Sequence, residues 1–178
     1  VLGPIWRLKY PSHFDRDALC CDIFVPTPKD PEFSTRVRLV NVHLDSLPIK
    51  PSQRPRQVSI VSSFLRTAGH GLVAGDFNPV LDEDAFLLEH NGLMDVWTSL
   101  HPDDPGYTWG ADGKQPFPPN RLDKVAVLGL LPRSIETLEP QRLGHSDSSE
   151  NQQTGSTEEG TLWSDHHALL CSFGLVEE

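Results

Sequence analysis

Cysteine is scarce in this chain: Cys20, Cys21 and Cys171 are the whole supply. An odd, small number of thiols cannot build a disulfide framework. Adjacent strand residues point to opposite faces, so Cys20 and Cys21 do not bond to each other. The pattern fits buried free thiols in a reducing compartment, and no Cys/His spacing resembles a zinc site. Long apolar runs are missing too, since none approaches the roughly 20 residues a membrane-spanning helix needs. The opening VLGPIWRLKY lacks the layout of a signal peptide. Cationic residues are outnumbered, 15 Lys and Arg against 25 Asp and Glu, and the net charge of −10 argues against bulk attraction to nucleic acid. There is no internal repeat and no basic nuclear-localisation run. The expectation is an intracellular protein, nuclear or cytoplasmic.

The residues present are those of a folded domain. With 37% hydrophobic and 22% charged residues over 178 positions, the chain can bury a real core as one domain. Its charge is unevenly spread. Residues 46–66 carry Lys50, Arg54, Arg56 and Arg66 without an acid, a local basic surface that could hold phosphates. Residues 143–160, LGHSDSSENQQTGSTEEG, carry four acids and no Lys or Arg. That stretch reads as a disordered insertion within a single domain spanning 1–178.

ALCCDIFVP (18–26) and TRVRLVNVHL (35–44) read as antiparallel strands joined by the Pro-rich PTPKDPEFS. SQRPRQVSIVSSFLRT (52–67) reads as a helix, with Pro55 in its first turn and Val58, Val61 and Leu65 on one face beside Phe64. DEDAFLLEHNG (82–92) has the acids and terminal Gly92 of a short helix, and Leu93, Val96, Trp97 and Leu100 continue at helical spacing. YTW (107–109), RLDKVAVLG (121–129), RSIETLEP (133–140) and HALLCSF (167–173) read as further strands. The class is mixed α and β with mainly antiparallel strands.

HGLVAGDFNPV (70–80) raises the question of function. Leu72, Val73 and Ala74 form a core strand, Gly75 breaks it, and Asp76 and Asn78 leave it two residues apart, directed the same way. Asp, Asn, Gly and Pro are also ordinary turn formers, so this stretch alone decides little. Three others repeat the pattern. NVHLDS sets Asn41, His43 and Asp45 against Val42 and Leu44; RLDK places Arg121 and Asp123 on one face; SDHH holds Ser164, Asp165, His166 and His167 before the last strand. Together they hold what phosphodiester cleavage needs. A carboxylate can align or deprotonate water, and histidines and an asparagine can donate to phosphate oxygens as charge shifts. A second carboxylate can orient a histidine, and a spare one can meet Mg²⁺, which takes few protein oxygens.

NVHLDS, GDFN, YTWG, RLDKV and WSDH, in this order, resemble the endonuclease/exonuclease/phosphatase superfamily, most closely its 5′-tyrosyl-DNA phosphodiesterase branch. YPSHFDRDALCCDIF resembles that branch as well, and the likeness covers nearly everything outside 143–160. It implies an α/β (α+β) fold, a four-layer α/β/β/α sandwich with the site along one sheet edge. It implies catalytic roles for Asp76 (water), Asn78 and His43 (phosphate), His166 (the pentavalent transition state) and Asp123 (orienting His166). Asp165 would sit near the metal, Mg²⁺ or Mn²⁺ in its place, and Trp109 would wall the leaving group, with Asn41 and Asp45 also on the substrate side. Arg121 reads as structural, and His167 has no implied role. The implied partner is DNA carrying a 5′ adduct. Abasic DNA, RNA or a phospholipid head group are alternatives, as is a non-catalytic binding module.

The family also uses an asparagine and a metal-binding glutamate early in the domain, and nothing before GDFN matches them. Glu32 sits in the Pro-rich connection. With Val1 as its first residue, the chain is expected to lack the N-terminal part of the domain, to bind metal weakly and to be weak or inert alone.

Overall fold

The computed structural model describes residues 1–27, 32–141 and 162–176. Strands β1 (Leu2–Lys9), β2 (Asp17–Pro26) and β3 (Ser34–His43) run antiparallel in sequence order. Helix α1 (Arg54–Ala68) then carries the chain back over the sheet to β4 (Gly71–Asp76), which pairs parallel with β3. A parallel pair needs such a crossover because a tight turn can only reverse direction. β5 (Met94–Asp95) leads into the five-residue α2 (Val96–Leu100), and β6 (Asp123–Leu128) inserts between β4 and β5. The six-stranded order is β1-β2-β3-β4-β6-β5, and β7 (Leu130–Leu138) with β8 (Ala168–Leu175) forms a separate two-stranded sheet.

Alternation along the strands divides the apolar residues between two cores. Val40, Val42, Val73 and Ala126 face α1, where Val58, Val61 and Leu65 meet them, each no more than 4% exposed. Phe64 lies at the helix margin and is 36% exposed. On the other face, Val37, Val125 and Val127 meet Leu130 and Ile135 of the small sheet, and α2 closes the side with Val96 and Trp97. The arrangement is a mixed α/β sandwich with α1, the large sheet and the small sheet as layers. Among the described residues no helix forms a fourth layer over the small sheet.

Three local expectations are corrected, and one strand is added. β1 was not anticipated, although Trp6 and Leu8 alternate inward, because Gly3 and Pro4 interrupt the pattern where the pairing register also shifts. Residues 82–92 form not one helix but single 3-10 turns at Asp82–Asp84 and Glu89–Asn91. Asp84 is diverted inward, its carboxylate accepting from Arg54 Nε at 2.8 Å, Ser52 Oγ at 2.9 Å and the Leu81 amide at 2.9 Å. The 93–100 segment is a helix only from Val96, where Asp95 caps it by accepting from the Trp97 and Thr98 amides. YTW is no strand; Trp109 forms single bridges to Asn120 and His166. The expected insertion at 143–160 lies outside the described residues.

Candidate active site

Register brings the polar groups together. His43 pairs with Asp76 across β3 and β4, and Asp76 pairs with Asp123 across β4 and β6. Three strand ends therefore present an imidazole and two carboxylates in one row. Gly75 makes the β3–β4 approach possible: at φ +134°, an added Cβ would lie 1.9 Å from the Val42 carbonyl oxygen. Phe77, fully buried, anchors the turn after Asp76, and its amide donates to the Leu122 carbonyl at 2.9 Å.

The side chains then connect. His43 Nε2 lies 3.4 Å from Asp76 Oδ2. The Asn78 amide donates to Asp76 Oδ1 at 2.8 Å. His166 Nδ1 sits 2.7 Å from Asp123 Oδ2, and the His166 amide donates to Ser164 Oγ at 2.9 Å. The Trp109 indole donates to Asp165 Oδ2 at 3.3 Å. Trp109 is half-buried at this edge, so it is a wall beside Asp165 and not a core indole.

Electrostatics gives the two histidines opposite tendencies. Burial pushes His43 below the ordinary imidazole value, and the Asp76 carboxylate offsets this only in part. The hydrogen bond to Asp123, followed by its charge and that of Asp76, raises His166 against the effect of burial. Burial raises the Asp76 carboxyl, and the neighbouring Asp123 adds to the rise. One histidine is thus disposed to be neutral and the other charged, beside a carboxylate with increased basicity.

Several expected roles move. Asn41 is exposed on the same face as His43, opposite Ala74. Asp45 does not face substrate: it is 2% exposed and lies past the end of β3. Its carboxylate accepts from Ser12 Oγ at 2.5 Å, the His13 amide at 2.8 Å and Gln57 Nε2 at 2.8 Å. Burial would raise its carboxyl, but these donors hold it below the usual range. Asn78 is also committed, at 8% exposure and φ 44°, with Nδ2 donating to Leu44 O and Ser46 Oγ, each at 3.2 Å. It positions Asp76 and has no free amide hydrogen-bonding direction toward a phosphate among these contacts. Arg121, read as structural, keeps that role: it grips Asp95 through two nitrogens at 2.8 and 2.9 Å. The basic surface over 46–66 is reduced as well, because Arg54 is 1% exposed and paired with Asp84. His167 lines a cavity of about 290 Å³ with Asp165, Lys114, Gln115 and Glu139.

Two residues of the site had not been singled out. Arg16 donates through one guanidinium nitrogen to the Leu44 carbonyl and to Ser46 Oγ (2.8 Å), and its charge contributes to lowering His43. It supplies a cation where the strand ends converge. Thr108 is fully buried; its hydroxyl accepts from the Leu122 and Asp123 amides at 3.1 and 3.0 Å, while its carbonyl accepts from the His167 amide at 2.7 Å. It ties both halves of the His166–Asp123 pair to one loop. A threonine in YTW carries no such signal in sequence, because both bonds depend on distant segments.

The expected Mg²⁺ was tested against these donors. Among the described residues no three His, Cys, Asp or Glu side chains converge on a point a cation could occupy. Asp76 and Asp123 each face a histidine, and Asp165 is engaged by Trp109. These residues do not make a metal cage by themselves.

No protein-family model matches the sequence, and no curated protein does. Solved structures do. TDP2 from D. rerio, complexed with single strand DNA product, superposes at a TM-score of 0.70 with 18% identity, over 97% of this chain and 68% of that one. The human Nocturnin catalytic domain with bound sulfate anion gives 0.61 and 16%, over 99% and 60%. An endonuclease/exonuclease/phosphatase family protein from Bacteroides thetaiotaomicron gives 0.57 and 16%, over 88% and 54%. The chain spans between about half and two thirds of the length of these structures. What they share with it is architecture, and the fold of this chain is that of the endonuclease/exonuclease/phosphatase superfamily, of the kind seen in TDP2.

Proposed function

We propose that this chain carries the phosphate-handling half of a hydrolytic phosphodiester site, and that its substrate is a 5′-tyrosyl adduct on DNA. The observation that carries the reading is the His166–Asp123 bond at 2.7 Å beside the Asp76–His43 contact, on three adjoining strand ends. With Nδ1–H donated in a hydrogen bond to Asp123, His166 keeps Nε2–H to donate to a phosphate oxygen as negative charge accumulates there. Asp76, held by the Asn78 amide, takes the proton of the water that attacks phosphorus. Arg16 and exposed His43 add positive and hydrogen-bonding character around the same oxygens. Trp109 offers a flat aromatic face to a tyrosyl leaving group. The likeness to a TDP2 complexed with a DNA product and to a Nocturnin with a bound sulfate supports a phosphate-bearing ligand.

Divalent metal, Mg²⁺ or Mn²⁺, is part of the proposal only as a requirement of the reaction. The cation would depend on phosphate oxygens and water more than on the described side chains. That favours a second reading, in which these residues bind the phosphodiester without turning it over.

Cleavage of a 5′-phosphotyrosyl oligonucleotide with and without Mg²⁺ separates the two, with His166→Ala as control. Metal-dependent cleavage that falls about 10²- to 10⁴-fold in the control supports catalysis. Saturable binding without cleavage supports the binding reading. Cleavage unaffected by the substitution would remove His166 from the mechanism.

A further inference from the structure

Lys124 follows Asp123 on β6, so its side chain emerges on the opposite face of the sheet, away from the catalytic edge. There it lines a cavity of about 270 Å³ roofed by residues 84–89, with Phe86, Leu87 and Leu88 among its walls. Its ammonium lies 3.8 Å from Asp95 Oδ2, but that carboxylate is already gripped by Arg121 through two bonds. Two cations thus share one anion, and the lysine side chain is only 13% exposed. Of the other charged groups at this cavity, Asp84 is neutralised by Arg54, and Glu89 stands at the exposed rim.

We propose that Lys124 is a nucleophilic amine site that condenses reversibly with small aldehydes. The nitrogen lone pair attacks the carbonyl carbon, the C=O π pair moves to oxygen, and a proton passes from nitrogen to that oxygen. Loss of water from the carbinolamine leaves a C=N bond, so amine and aldehyde give imine and water with no oxidant or reductant. Desolvation and Arg121 together push the Lys124 amine down to about 8 despite Asp95. A lysine desolvated beside a second cation is the arrangement that frees an amine for carbonyl chemistry. The site is separate from the hydrolytic reading and does not rest on it.

The test uses the whole chain, propionaldehyde with cyanoborohydride at pH 7.5, and peptide mapping by mass spectrometry. Roughly a quarter of an amine titrating near 8 is neutral at that pH, against about one in a thousand for an ordinary lysine. Propylation of Lys124 is expected about tenfold faster than that of exposed Lys9 and Lys114, with a pH midpoint near 8. In concentrated urea the preference should vanish. Equal or slower labelling of Lys124 in the folded chain overturns the proposal, and so does a preference that survives urea, because the cavity would then not be its source.

Discussion

The imidazole of His166 and the carboxylate of Asp123 stand 2.7 Å apart although 43 positions separate them in the chain. The bond raises the pKa of His166, so the native state holds its proton more tightly than the unfolded chain does. Its stabilising effect is full below the ordinary histidine value of 6.5 and is lost as pH rises through the higher folded value. Asp123→Asn should return His166 toward or below the ordinary value, read by NMR titration, and flatten the stability profile in that window. An unchanged His166 titration would show that Asp123 is not its partner in solution.

Asp76 should show the opposite balance between stability and activity. Burial and Asp123 raise its carboxyl, so ionising it costs more in the fold than in the unfolded chain, and that cost appears as pH rises through its unfolded value. Asp76→Asn is expected to abolish any hydrolysis while leaving the chain as stable as before, or more so, at pH 7. Urea titration of both forms checks this. A marked loss of stability would point to a structural role for the charge.

Thr108→Val keeps the shape but removes the acceptor of the Leu122 and Asp123 amides. Each buried donor left unpaired costs about 1–3 kcal/mol, so a loss of about 2–6 kcal/mol is expected for the two. The His166 titration should shift in the same variant, because Asp123 loses its backbone anchor. A stability change without that shift would confine Thr108 to the fold.

Gly75→Ala sets a methyl group against the Val42 carbonyl oxygen at a φ of +134°. Relief requires β3 and β4 to part. The expected loss is about 3 kcal/mol or more, with the His43–Asp76 register disturbed first. Near-normal melting would mean that the two strands pair less closely than described.

Asp84→Asn leaves the Arg54 guanidinium buried without its anion. Removing one partner of a buried pair costs about 3–5 kcal/mol, measurable by denaturant unfolding. A cost under about 1 kcal/mol would show that Arg54 finds compensation from its contacts to the Asp45 and Leu47 carbonyls.

Much of the secondary structure was legible because it rests on local periodicity. Alternation in ALCCDIFVP and TRVRLVNVHL and the helical spacing of Val58, Val61 and Leu65 reappear as β2, β3 and α1. Where a distant partner intervened, legibility failed. The acids of 82–92 suggested one helix, but Arg54 draws Asp84 inward and breaks it into two turns. In NVHLDS the alternation suggested one working face, yet Ser12, His13 and Gln57 capture Asp45.

By itself, then, the sequence determined which residue types reach the strand ends and which segments become strands and helices, since those follow from side-chain alternation and turn chemistry within a few positions. The tertiary structure decided which polar groups remain available. Strand register set His43, Asp76 and Asp123 side by side, the Thr108 loop brought His166 to them, and buried bonding withdrew Asp45 and Asn78. The reason is physical: a buried polar atom must find a partner, and the sequence does not say which distant atom will be within 3 Å of it.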